Sequence, residues 1–276
     1  MKWQWKTSII ILFVTLILAL SIWGPEKLSI YRDKYTMNRV STEEIEGGGE
    51  GYRYELNSNE KVYILSMCLK HQVLPETEQS KNNRLSNDNM NYEKLSGSYA
   101  FVVNKKGPTE KEIKASDIFI ICNQEIKELK SRGVLPESIK EIDADSYEAE
   151  IYSAIDVLDP RNNMPVWKVS LSTSQQNADK SNRLLDAYVD AENGKIYEFY
   201  VRVDKSWDEI NPDEIINKWS KYLEIEGLEK DDRDNPLLET TPYFKKYCFP
   251  GMDNGETVVT IGFYEGINEL FLKVTE

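Results

Sequence analysis

Downstream of residue 115, the spacing of apolar positions alternates between a helical period and a strand period. A stripe beginning at Ser116 has helical spacing, and Gly133 suits the end of that helix. Asn193-Gly194 predicts a type I′ hairpin turn, because both central positions of that turn need positive φ. Alternating apolar positions predict four strands around it, at 147–158, 166–173, 185–189 and 197–203.

The same order of elements recurs roughly 95 residues further along the chain. Asn211 is a typical N-cap, Pro212 suits the first helical position, and Gly227 suits the helix end. The segment Asp253-Asn254-Gly255-Glu256 is a second predicted hairpin turn. The accompanying strands are predicted at 243–249, 257–263 and 270–274.

These repeats predict an α+β fold with two helix-on-antiparallel-sheet units that follow an N-terminal transmembrane helix. Each alternating sheet has one apolar face, and one amphipathic helix can cover it. The predicted domains are an anchor at 1–25, a stalk and Gly-rich linker at 26–51, a first α+β unit with an N-terminal extension at 52–205, and a second α+β unit at 206–276.

The early part of the first unit allows two interpretations. Asn57 and Glu60 suit a helix start, and the apolar residues after them share one helix face. The same run also alternates as a strand would, so helix and strand both stay open. Residues 76–95 are polar and predict a long loop, and residues 99–103 predict a short strand.

Residues 7–25 carry no charge and are apolar at their centre. In hydrocarbon a helix satisfies its own backbone, and about 20 apolar residues span the core. We therefore predict an uncleaved membrane anchor, with a cleaved signal peptide or a buried core helix as alternatives. The short basic N-terminus resembles a signal n-region, so the C-terminal body is expected to be extracytoplasmic, in a bacterial single-pass membrane protein.

The formal net charge of −13 changes which partners are expected. A nucleic-acid partner is disfavoured, because its phosphates need basic residues to neutralise them. An acidic body is also repelled from an anionic lipid surface, so we expect membrane contact only through residues 7–25. A protein partner in the cell envelope is the remaining expectation.

Side chains for catalysis or metal binding are few. The single histidine, His71, excludes paired-His zinc motifs and allows a catalytic triad only if it is the base. Cys68, Cys122 and Cys248 lie in apolar runs, typical of buried free thiols, with one disulfide as the alternative. We predict no catalytic, metal-binding or cofactor-binding residue.

Three tryptophans of the body bear on partner contacts. Trp167 and Trp219 lie on predicted core faces, so packing is their expected role. Trp207 precedes the second helix in a predicted loop, next to Asp208. We predict that Trp207 contacts a partner.

The segment 167–201 resembles the end of a PepSY-type domain. The residues that carry the resemblance are Trp167-Lys168-Val169 and Tyr188-Val189-Asp190-Ala191-Glu192-Asn193-Gly194-Lys195-Ile196. Such domains pair a helix with strands and end in a Val-Asp-x-x-Thr-Gly-Lys-like hairpin. The resemblance extends back to the helix at Ser116, whereas the second unit keeps only a helix and an Asn-Gly hairpin. It implies a PepSY/cystatin-like fold and a non-catalytic extracytoplasmic module, with no catalytic residues to transfer.

Three functional hypotheses follow. The first is a non-catalytic, membrane-anchored interaction or regulatory protein. The second is a cell-envelope hydrolase that uses a pair of carboxylates, since Asp and Glu are abundant. The third is a peptidase-inhibiting module of the PepSY type.

Overall fold

The structure is a computed structural model, and it describes residues 53–72, 99–178, 180–231 and 243–274. The chain divides between Gly48 and Gly49, and every described residue belongs to the unit Gly49–Glu276. The predicted anchor, stalk and Gly-rich linker, together with the whole predicted loop at 76–95, lie outside the described residues. None of the helices in the described ranges has the length and apolar character needed to cross a membrane.

The described chain contains four α-helices, one short 3₁₀ helix and nine strands. The helices are α1 Ser58–Gln72, α2 Ile118–Ser131, α3 Thr173–Ala178 and α4 Pro212–Leu223, with the 3₁₀ helix at Trp207–Glu209. The strands are β1 Tyr99–Val103, β2 Tyr147–Asp156, β3 Asn163–Leu171, β4 Arg183–Asp190, β5 Ile196–Arg202, β6 Glu229–Lys230, β7 Phe244–Pro250, β8 Glu256–Tyr264 and β9 Glu269–Lys273.

All nine strands form one antiparallel sheet, in the order β1-β2-β3-β4-β5-β9-β8-β7-β6. The predicted fold class is therefore wrong in its two separate PepSY/cystatin-like α+β units, whereas the transmembrane helix predicted before them lies outside the described residues. The boundary drawn at residue 205 falls inside this sheet, because β5 pairs with β9 and places Phe199 opposite Leu272. Pairing these two strands removes an open edge from each meander, and an open edge is a liability in any sheet.

Helices α2 and α4 lie side by side on one face of the sheet instead of covering separate sheets. The Tyr222 hydroxyl of α4 donates to Glu125 Oε2 of α2 at 2.6 Å. The Arg132 guanidinium lies 5.8 Å from the centre of the Tyr222 ring. Asn211 caps α4 as predicted, since its side chain accepts from the Glu214 amide, but the helix ends at Leu223 and not near Gly227.

Helix α1 lies on the opposite face, and its buried apolar residues are Val62, Ile64, Leu65, Cys68 and Leu69. The Tyr63 ring of α1 meets Tyr99 of β1 edge-on, with centroids 6.1 Å apart. The same ring lies against Gly251 and Gly255 of the β7–β8 hairpin. Because β1 and this hairpin belong to distant strands of the sheet, the sheet must curve around α1 to reach both. The buried residues of this helix also include alternating positions, which explains why its sequence also fitted a strand.

The two predicted hairpin turns have different geometries. In the β4–β5 connection, residues 191–195, only Gly194 has positive φ and its amide donates to Asp190 O, so the type I′ prediction is wrong there. In the β7–β8 connection Asp253 and Asn254 both have positive φ, and the Gly255 amide closes the turn. The second turn is therefore of type I′, with Asp253 and Asn254 as its central residues.

Candidate functional site

Helix α1 covers only one end of the concave face of the sheet. Residues that stand opposite one another in neighbouring strands point to the same face. The register places Lys168 opposite Tyr188, Tyr188 opposite Glu198, and Tyr200 opposite Phe271 on this face. Six aromatic residues lie beyond α1 and line what we call the aromatic trough: Phe101, Tyr152, Tyr188, Tyr200, Tyr264 and Phe271.

Ring contacts at the β1 side of the trough show how strongly the sheet curves. Phe101 stacks on Tyr152 with centroids 4.6 Å apart, and it meets Tyr188 edge-on at 5.8 Å. Strands β2 and β3 lie between β1 and β4, which a flat sheet would separate by roughly 14 Å. The Phe101–Tyr188 contact therefore requires the face to be concave.

The β8 side of the trough depends on a glycine. Phe271 lies 5.8 Å from Tyr200 and 4.8 Å from Tyr264, measured between ring centres. Gly262 stands opposite Phe271, and a Cβ atom there would come within 2.2 Å of the Phe271 ring. The ring therefore covers bare backbone, and any side chain at position 262 would displace it.

Two tyrosines and two carboxyls alternate at the centre of the trough. Tyr188 stands opposite Glu198, and Asp186 stands opposite Tyr200, so the carboxyls lie on one diagonal and the tyrosines on the other. We call Asp186, Tyr188, Glu198 and Tyr200 the central quartet. It lies on β4 and β5, next to the β5–β9 pairing.

Burial dominates the electrostatics of the central quartet. Glu198 is only 3% exposed, and burial raises its pKa to about 7, although Oε2 accepts from the Val274 amide at 2.9 Å. Burial also raises the pKa of Asp186, while hydrogen bonding from Ser170 Oγ opposes that shift. Burial is likewise the main cause of the raised pKa values of Tyr188 and Tyr200. Near neutral pH, Glu198 is therefore divided between its acid and its carboxylate form.

Another buried carboxyl lies at the end of the concave face that α1 covers. Asp190 is fully buried, and its Oδ2 accepts from Lys61 Nζ of α1 and from the Tyr197 hydroxyl, both at 2.9 Å. Its Oδ1 accepts from the Glu192 amide at 2.8 Å. The covered end thus supplies its own cation, whereas no described residue forms an ion pair with Glu198 within 4 Å.

The tryptophans predicted from the sequence lie away from the trough. Trp207 is half-buried in the 3₁₀ helix, with its ring 6.4 Å from Phe263, which faces the α2 and α4 side of the sheet. Trp167 and Trp219 are buried, as predicted, and Trp167 Nε1 donates to Ile113 O. The structure does not bring Trp207 together with the central quartet, and its contact with a partner stays a prediction.

The cysteines are all free thiols. Cys68 and Cys122 are buried, and burial raises the pKa of each to about 12, so both are poor nucleophiles. Cys248 is half-buried rather than buried as predicted. The side chain of His71 lies outside the described residues. No three His, Cys, Asp or Glu side chains in the described ranges are placed to hold a metal ion.

Sequence reasoning missed the aromatic trough, although a signal was present. Tyr188 and Tyr200 occupy the polar phase of strands that were identified from their apolar phase. Aromatic residues on the nominally solvent-facing side of two neighbouring strands indicate a second covered or binding face. This sequence pattern identifies the individual residues, but it does not show that their side chains contact one another.

Comparison with known proteins leaves the family open: no family model, no curated protein and no solved structure matches this chain. The PepSY resemblance of residues 167–201 accordingly stays a prediction.

Proposed function

We propose that this chain is a non-catalytic, membrane-anchored interaction or regulatory protein that binds a protein partner through the aromatic trough. The observation that carries the proposal is the concave sheet face beyond α1, where six aromatic rings converge, while α1 itself packs mainly against β1, β2, β3 and β8. The partner lies on the extracytoplasmic side of the membrane, and residues 7–25 attach the chain to that membrane.

The composition of the trough favours protein binding. Tyrosine is enriched in protein interfaces because it offers a large, rigid contact area and a polar hydroxyl. Tyr264 is 50% exposed at the rim, while Tyr188 and Tyr200 are half-buried towards the centre. An exposed rim around a more buried aromatic centre is the usual arrangement of an interface hot spot.

The membrane attachment is proposed from the uncharged run at 7–25. The acidic body would be repelled by anionic lipid, so a short tether would leave the trough available to neighbouring proteins. Protease digestion of intact cells tests the orientation. The body should be degraded in intact cells, and protection until the cells are lysed would contradict the proposed location.

A photo-reactive amino acid in place of Tyr264 tests the binding face in native membranes. Tyr264 is exposed at the rim, so the replacement should leave the fold intact. The matched control replaces Ile120, which is 60% exposed on α2 across the sheet. We expect one defined envelope protein crosslinked from position 264 and not from position 120. Equal crosslinking from both positions, or none from 264, would contradict the proposal.

One observation favours the carboxylate-pair hydrolase as a second candidate function. Asp186 and Glu198 occupy diagonal positions, which antiparallel pairing places roughly 7 Å apart, within the range that glycosidases use. The Glu198 pKa of about 7 also suits a general acid. Full-length protein incubated with purified envelope glycan tests this candidate. Turnover that is lost in both Glu198→Gln and Asp186→Asn would establish it and overturn the non-catalytic proposal.

A further inference from the structure

We infer that the occupant of the aromatic trough is a basic amphipathic helix of the partner, whose Lys or Arg side chain enters the central quartet between Asp186 and Glu198. This inference rests on the proposed function and adds the chemistry of the partner. It draws on the shape of the concave face and on the charges at the end of that face beyond α1, which we call the open end. It also draws on the contacts that α1 makes at the other end.

Helix α1 shows what the concave face accommodates. It lies against β1, β2, β3 and β8, so the curvature of the sheet is wide enough for a helix, which is about 10 Å across. The trough is the continuation of that face on the same sheet. A sheet face offers side chains and not free backbone groups, so strand addition is excluded there and a helix in a groove is the matching mode of recognition.

The contact between α1 and Asp190 supplies an internal precedent for the chemistry. Lys61 projects from α1 onto a fully buried carboxyl and meets a tyrosine hydroxyl at the same oxygen. Glu198 repeats part of that environment, with Tyr188 opposite and Tyr200 two residues away. Lys273 acts on Glu198 electrostatically, but no described residue forms an ion pair with it within 4 Å. A helix in the trough with one basic residue facing the sheet would provide that ion-pair partner.

The charges around the open end favour a basic occupant. Acidic side chains outnumber basic ones there by five to four: Glu148, Glu150, Asp186, Glu198 and Glu269 against Lys168, Arg183, Arg202 and Lys273. The aromatic rings add to this preference, because their faces attract cations. Lys168 already lies 5.9 Å from the centre of the Tyr188 ring. A neutral glycan would offer hydroxyls for hydrogen bonding, but it would bring no positive charge to pair with the carboxylates.

The test uses a labelled Leu/Lys amphipathic peptide of about 18 residues, long enough to form a helix. Its binding to the full-length protein in detergent is measured by fluorescence anisotropy, with the Leu/Glu counterpart as the negative peptide. We expect the basic peptide to bind and the acidic one not to bind. In Asp186→Asn/Glu198→Gln the affinity should fall about tenfold or more.

A charge-matched variant separates the trough from the general acidity of the chain. Glu137→Gln/Asp145→Asn removes the same charge from exposed positions off the concave face. Affinity should change less than about twofold in this control. Equal losses in the two double variants would overturn the inference, because binding would then follow net charge alone. Absence of any binding by the basic peptide would overturn it as well.

Carbodiimide coupling locates the contact directly. The reagent activates a carboxylate, a peptide lysine displaces it to form an amide, and the reagent leaves as a urea. Mass spectrometry should find the amide at Asp186 or Glu198, and coupling only at other carboxyls would count against the inference. Failure of the proposed function looks different, since crosslinking from Tyr264 would then yield no partner. If the captured partner contacts the trough but binds the Asp186→Asn/Glu198→Gln variant equally well, only the basic-helix inference fails.

Discussion

The two ends of the concave face place a buried carboxyl in different electrostatic surroundings. Asp190 and Glu198 lie on neighbouring strands and on the same face, and both are almost fully buried. Asp190 lies under α1 and receives Lys61 in an ion pair. Glu198 lies beyond α1 and accepts from the Val274 amide, and Lys273 acts on it electrostatically without an ion pair within 4 Å. The difference teaches that the helix brings the counter-charge with it. Beyond α1, burial raises the pKa of the Glu198 carboxyl.

The largest effect is expected from removing the cation at the covered end. Lys61→Met leaves the Asp190 carboxylate buried without its ammonium partner, which should cost about 3–5 kcal/mol of unfolding free energy. Urea unfolding followed by tryptophan fluorescence measures the loss. Adding Asp190→Asn to Lys61→Met should restore part of it, since the uncompensated charge is then gone. A loss below about 1 kcal/mol would mean that α1 is not held by this ion pair.

Glu198, at the open end of the concave face, should make the unfolding free energy depend on pH. The pKa of Glu198 is about 7 in the folded protein, above its ordinary value of 4.5, so the folded state keeps a proton that the unfolded state loses. Stability should therefore fall as pH rises between these values, by about 3 kcal/mol, and stay lower above pH 7.

Glu198→Gln isolates this contribution. Measured as unfolding free energy at several pH values, the advantage of the variant over the native chain should grow from pH 4.5 to pH 7. Glu137→Gln, at an exposed position off the concave face, is the control and should not reproduce this advantage. Parallel curves for the native chain and Glu198→Gln would show that Glu198 ionises freely in the folded state.

A smaller loss is expected from disturbing the aromatic rings at the open end. Gly262→Ala places a Cβ atom where the Phe271 ring lies, so the ring must move away from Tyr200 and Tyr264, at a cost of about 1–3 kcal/mol. In a Phe271→Leu background the same change should cost less, because no ring covers the strand there. Additive costs in this double-mutant cycle would indicate that the ring and the glycine are not coupled.

The smallest effect concerns the other carboxyl of the quartet. Ser170→Ala removes the hydroxyl that donates to Asp186 at 2.5 Å and should cost about 1 kcal/mol. It should also raise the Asp186 pKa further, which NMR titration of the carboxyl can follow. Ser116→Ala is the matched control, because Ser116 bonds an exposed aspartate and its loss should be close to zero. Equal costs for the two serines would argue against a special role for the trough.

The sequence predicts the individual elements well where one face of a strand is buried. The run at 166–173 is found as Asn163–Leu171, because its apolar positions alternate and point to one core. The same reasoning cannot show that β5 pairs with β9, since edge pairing depends on which strands meet in space. Helix α1 stayed undecided between helix and strand for a different reason: its buried apolar residues fit both spacings.

The candidate site was less accessible to prediction than the fold. Asp186, Tyr188, Glu198 and Tyr200 are individually unremarkable residues on the polar phase of two strands. Their chemistry arises from cross-strand register and from curvature that brings Phe101 over Tyr188, neither of which is encoded locally. Tryptophan content instead drew attention to Trp207, because large aromatics are the usual markers of an interface.

The two buried thiols allow the helices on the two faces of the sheet to be monitored separately. Cys68 lies on α1, with its thiol bonded to Ala100 O, and Cys122 lies on α2 across the sheet. Each can be alkylated only after its own helix detaches from the sheet. The relative rates of modification, resolved by mass spectrometry, would therefore report which layer loosens first, without any introduced probe. Ligand bound in the trough should protect Cys68 more than Cys122 if it lies end to end with α1.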